Sequence, residues 1–157
     1  MVVHELQSAP SLRQCVIDDV HVMFFHGAVD VAALDATLAA NAQLKRSHPA
    51  GIWAFNLAVP MLSLPDRAFQ KKASEATKAV EDHLLGAVVV LPGEGFWVSA
   101  ARAFVAGLML LSPLRRQREF ANDILGGAQI LAKRSSRDEA WARSLAQSIE
   151  AWSAPGA

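Results

Sequence analysis

Two stretches decide the fold: Ile52-Trp53-Ala54-Phe55-Asn56-Leu57-Ala58-Val59 and Gly86-Ala87-Val88-Val89-Val90-Leu91. Asn56 is the one polar side chain in either. A strand that is apolar on both faces belongs in the middle of a sheet covered on both sides, the pattern of parallel sheets. The residues between the two read as a helix. Ser63 is a candidate N-cap, with Pro65 in the first turn. Phe69, Ala73, Ala76, Val80 and Leu84 recur on one face. Lys71, Glu75, Lys78 and Asp82 take the opposite face as charge pairs three or four residues apart. Strand, helix and strand in this order form a crossover unit.

Upstream, Cys15-Val16-Ile17 and Val20 to His26 read as two short strands joined at Asp18-Asp19, an antiparallel hairpin closed by a tight turn. Asp30 is a good N-cap for a helix carrying Val31, Leu34 and Leu38 on one face and ending near Lys45-Arg46, before His48-Pro49. Downstream, Pro92-Gly93-Glu94-Gly95 turns the chain into an apolar helix over Phe96 to Leu111, which Ser112-Pro113 breaks. Leu114 to Leu125 reads as a short extra helix closed by Gly126-Gly127. Ala128 to Ala132 reads as a last strand. Ser136 with Glu139 makes a capping box for a final helix that buries Trp141, Leu145, Ile149 and Trp152. The expectation is an α/β domain: a mixed, mostly parallel five-stranded sheet covered by four to five helices.

The chain has 157 residues, 52% of them hydrophobic and 19% charged, and a formal net charge of zero. That is one domain, residues 1–157 with a core from about 14 to 152, and intrinsic disorder is excluded. Neutrality argues against a nucleic-acid binder. The single cysteine, Cys15, excludes a disulfide framework and cysteine-based zinc sites. The apolar stretch over Phe96 to Leu111 contains Arg102 and falls short of the ~20 residues a membrane span needs. Met1 to Arg13 has no secretory pattern, so a cytoplasmic protein is expected.

The segment Leu85-Gly86-Ala87-Val88-Val89-Val90-Leu91 is followed, after a turn, by Gly95-Phe96-Trp97-Val98-Ser99-Ala100-Ala101-Arg102, then Gly107-Leu108 and Leu110-Leu111, and the chain closes with Glu139-Ala140-Trp141. This half, and the element order over about residues 14–152, resembles the STAS-like domains: the anti-sigma-factor antagonists and the small bacterial proteins grouped with SEC14-type lipid-binding domains. The resemblance in letters covers about residues 84–111. It implies a non-enzymatic signalling or regulatory domain that works by protein–protein interaction. It also implies phosphorylation of a serine at the start of the helix after a central strand, which here is Ser63. The antagonists' Asp-Ser-Ser-Gly signature is replaced by Met61-Leu62-Ser63-Leu64-Pro65. The alternative implied by the same likeness is a small-ligand or lipid-binding domain, with an apolar pocket beside the 96–111 helix.

The residues themselves offer several candidates, each with a plainer role. A phosphate on Ser63 would add about two negative charges beside free helix N–H groups, whereas a simple cap contributes ~1 kcal/mol. Gly93-Glu94-Gly95 has the look of an anion cradle, but Glu94 places a carboxylate where the anion would sit and suits the helix dipole instead. Arg102 interrupts an apolar helix, so it either snorkels to solvent or pairs with an acid or anion at an interface. Phe96, Trp97, Val98, Phe104, Val105 and Leu108 spread around most of that helix, so a second element or a second copy of the chain must cover it. Seven basic residues against two acids lie between Arg102 and Arg137, with Arg115 and Arg116 at the centre. They make a patch for an acidic partner or a plain solvated face. The five histidines form no cluster, and no metal or cofactor is expected. The interaction candidates are therefore Phe96, Trp97, Arg102, Phe104, Arg115 and Arg116.

Overall fold

The structure, a computed structural model, describes residues 1–27, 30–58, 67–110 and 118–154. It is α/β, with a six-stranded mixed sheet in the order β1-β2-β3-β4-β5-β6, the order of the sequence. The strands are β1 (Val3–Glu5), β2 (Leu12–Ile17), β3 (Val20–Phe25), β4 (Ile52–Ala58), β5 (Leu84–Val90) and β6 (Arg118–Ala121). The helices are α1 (Val31–Ser47), α2 (Arg67–Val80), α3 (Phe96–Leu110), α4 (Ile124–Arg134) and α5 (Glu139–Ser153). The first three strands are antiparallel and β3 to β6 run parallel.

The predicted hairpin is present. Ile17 pairs with Val20 across Asp18-Asp19, and Asp18 adopts φ 54, a left-handed conformation that aspartate tolerates. The two apolar stretches form the adjacent central strands β4 and β5. Their alternate side chains enter different layers. Phe55, Leu57, Val88 and Val90 pack with Cys15, Ile17, Val20 and Val22 beneath α4 and α5, where Leu131, Leu145, Ile149 and Trp152 complete the main core. On the other face, Ala54 and Ala87 pack with Leu12, Met23 and Ala33 of α1. Val89 and Leu91 pack with Val98 of α3, and Ala101 and Phe120 lie against that cluster. So α1 and α3 share one face, with α2 beside α1, and α4 and α5 cover the opposite face.

The structure corrects several sequence readings. The sheet has six strands rather than five, because Val3-His4-Glu5 adds an edge strand too short to show periodicity. The last strand is Arg118–Ala121, inside the segment read as an extra helix, and Ala128 to Ala132 lies in α4. Five residues, apolar but for Gln129, are too few for a period that separates strand from helix. Asp123, whose Oδ1 accepts the Gly126 N–H at 2.7 Å, is the cap that starts α4. Gly126-Gly127 therefore opens that helix instead of closing another. A Cβ at Gly127 would meet Val90 Cγ2 at 2.7 Å and Phe55 Cε2 at 2.9 Å, so glycine lets α4 lie directly on the sheet. Ser136 does not cap α5. It sits at φ 56, and Asp138 accepts the Trp141 N–H at 2.8 Å in its place. In α1 the buried face is Ala33, Ala36, Ala40, Asn41 and Leu44, while Val31 is exposed and Leu34 and Leu38 are half-buried. Small residues let the helix approach the sheet closely. The Asp30 cap and the exposed charges Lys71, Glu75, Lys78 and Asp82 are as expected.

Candidate functional site

Because β3 to β6 are parallel, every helix that follows one of them begins at the same end of the sheet. Among the described residues, that end carries three exposed large apolar side chains, each in the first turn of such a helix: Val31 of α1, Phe96 of α3 and Leu125 of α4. Phe96 is 77% exposed. The other exposed large apolar residues among those described are Met1 and Val2, at the start of the chain, and Leu85 in β5.

At β5 and β6 this rim splits. The last rung between the two strands is the Leu91 N–H donating to the Ala121 carbonyl at 3.1 Å. Beyond it the chain leaves β5 through Pro92–Gly95 to α3 on one face, and leaves β6 through Asn122-Asp123 to α4 on the other. Gly93 and Gly95 take φ values of 91 and 110, which tighten the first turn. Arg102 reaches from α3 to this cleft. Its Nη2 donates to Oδ1 of Asn122, and its Nε–H is sealed from solvent with no hydrogen-bond partner among the described residues. The sequence left Arg102 between snorkelling and pairing with an acid or a ligand anion at an interface; its partner among the described residues is a neutral amide.

The abnormal titrating groups lie elsewhere and apart. Burial pushes the Cys15 thiol up to about 12, with Glu5 adding to the rise and Arg13 opposing it. Burial pulls His21 down to about 4. His21 shares its Nε2 with Gln14 Oε1 at 3.0 Å, and Gln14 Nε2 donates to the Gln7 carbonyl at 2.6 Å. This places a closed polar chain inside the layer under α1. Burial lowers Arg118 at the start of β6, against an opposing pull from Glu81. Cys15 lies on the α4–α5 face of the sheet and His21 and Arg118 lie on the other face, three strands apart, and no set of three or more metal-ligating side chains forms among the described residues.

The opposite end of the sheet is tied down. Arg137 forms a bidentate pair with Asp19 at 2.7 and 2.8 Å and lies over the Trp141 ring at 4.4 Å from its centroid. Trp141 Nε1 donates to Asp18 Oδ2 at 3.2 Å, and the Asp19 carbonyl accepts the Trp53 N–H at 2.9 Å. Arg134 pairs with Glu119 at 2.6 Å. Two cations of the predicted basic patch are thus taken up by the fold itself.

Of the sequence candidates, Phe96 and Arg102 share the split rim. Ser63, Arg115 and Arg116 lie outside the described residues, as do the side chains of Trp97 and Phe104 and, with them, the apolar pocket expected beside α3. Sequence reading missed Asn122 and gave Leu125 the task of covering the apolar helix, where it is instead exposed in α4, since β6 and α4 were misplaced. No described helix is long and apolar enough to cross a membrane. No family model, curated protein or solved structure matches this chain.

Proposed function

We propose that this chain is a regulatory protein-interaction domain of the STAS-like type, acting by contact rather than by catalysis, and that its docking surface is the rim at the C-terminal ends of the parallel strands. The observation that carries the reading is the exposure at that end of the sheet of Val31, Phe96 and Leu125, with Phe96 77% exposed. A large aromatic side chain in water gains free energy only when something covers it, and aromatic anchors dominate protein interfaces. The mixed, mostly parallel sheet with helices on both faces supports the STAS-like reading at the level of architecture. The confinement of Cys15 and His21 to closed layers supports contact over chemistry.

Phe96→Glu and Leu125→Glu test it. Both residues are exposed, so folding stability should change by no more than about 0.5 kcal/mol. Each variant should lose the protein partners that the unaltered chain captures from its native cells, while its circular dichroism stays the same. Partners retained by both variants would overturn the proposal. So would a doubled mass in sedimentation that both substitutions abolish, since the rim would then serve a second copy of the chain. The proposed switch is phosphorylation of Ser63, and Ser63→Asp should change partner capture without unfolding the chain.

A further inference from the structure

We propose that the cleft between the ends of β5 and β6 binds the carboxylate of a small molecule, with Arg102 and Asn122 as its recognition pair. The argument begins with topology. In open α/β sheets ligands settle outside the carboxyl ends of the strands, where neighbouring strands send their connections to opposite faces. The connections after β3, β4 and β5 lead to helices on the α1 side, and the connection after β6 leads to α4 on the other side. Among the described residues, β5 and β6 are therefore the pair of parallel neighbours at which the sheet changes sides.

The second strand of the argument is chemical. Arg102 is half-buried at this cleft and pairs with no carboxylate among the described residues. Among the described residues its acceptor is the neutral Asn122 oxygen, and its Nε–H has none. A guanidinium offers five donors in a fixed fork, the geometry that matches an oxyanion. A buried donor left unmade is costly and calls for a reason. With Oδ1 of Asn122 engaged by Arg102, its amide N–H groups are further donors on an exposed side chain beside the guanidinium. The N-terminus of α4 is already served, because Asp123 accepts the Gly126 N–H. Recognition therefore falls to the two side chains.

Charge narrows the ligand class. Among the described residues, the β5–α3 connection carries Glu94 and the β6–α4 connection carries Asp123, both exposed, two carboxylates against one guanidinium. A polyanion is repelled by both, whereas a single carboxylate gains the close fork and meets the acids only at longer, solvent-screened range. This site concerns the isolated chain and does not depend on a protein partner.

Acetate is the probe, titrated into the full-length chain at ionic strength matched with chloride and followed by amide NMR. The amides of Gly95, Asn122 and their neighbours should shift saturably, and those of Asp18 and Arg137 at the far end should not. Arg102→Gln should weaken binding by about tenfold or more, the loss expected for a charge-assisted contact, and Arg102→Lys should retain part of it. Inorganic phosphate should bind more weakly than acetate. No saturable shift in the unaltered chain would overturn the proposal, as would equal binding by Arg102→Gln or tighter binding of phosphate. Should Arg102→Gln fail to fold, the unaltered chain decides: saturable shifts confined to residues 91–95 and 122–123 support the site, and shifts centred elsewhere overturn it.

Discussion

Single residues carry the clearest physics in this molecule. Cys15 is fully buried and its thiol is held near 12 by that burial, so the reactive thiolate is scarce at neutral pH. It should resist iodoacetamide in the native chain and label only as fast as the chain unfolds, which mass spectrometry over a denaturant series would show. His21 is 1% exposed and held near 4, so it stays neutral in the fold while the unfolded chain protonates it near 6.5. The unfolded state therefore takes up a proton between pH 6.5 and about 4 that the native state refuses. The stabilisation is fully present above pH 6.5 and is lost as pH falls toward about 4, by up to about 3 kcal/mol. The melting temperature should drop across that window, and His21→Gln should flatten the drop even if it lowers the starting value. At Gly127 the issue is volume. The added methyl of Gly127→Ala would strike Val90 and Phe55, and overpacking of this kind costs about 1–3 kcal/mol, more than the helix propensity alanine brings. Urea unfolding followed by circular dichroism would measure it.

At the scale of elements, the corner between α4 and α5 is bound to the β2–β3 turn by Arg137, Asp19, Asp18 and Trp141. Asp19 and Arg137 are each somewhat more than a quarter exposed, so solvent screens part of their attraction. A double-mutant cycle over Asp19→Asn and Arg137→Gln should give a coupling of about 1 kcal/mol, and a coupling near zero would reduce the pair to a surface ornament. Elements also set the limit on what the sequence reveals. Strands β4 and β5 are legible because an unbroken apolar run bounded by turn residues has few homes besides a covered sheet. Strand β6 is not. Arg118-Glu119-Phe120-Ala121 has no alternation of polar and apolar, and it is a strand because β5 presents an edge to it. Helix α4 was misread for the complementary reason, since Ala128-Gln129-Ile130-Leu131-Ala132 is too short for its period to speak. The candidate site inherited both errors. Arg102 stood out as a charge in an apolar helix, but Asn122 could be assigned to it only once the loop between β6 and α4 was in place.

For the whole molecule, stability should be graded outward from the middle of the sheet. Val22, Phe55 and Val88 lie in three adjacent parallel strands and are fully buried, so their amides should exchange with solvent only on global unfolding. The amides of β1, a three-residue edge strand, should exchange orders of magnitude faster. Equal protection in both places would contradict this layering. Glu5 of β1 nevertheless has a distant tie, because its Oε1 accepts the Nε1–H of Trp152 at 2.6 Å while Arg13 stacks on the same indole ring. The first strand and the last helix are thus neighbours in space. A peptide linker from the end of α5 to the residue before Val3, with the backbone cut at the exposed Pro49-Ala50 turn, would give a circular permutant with every strand pairing preserved.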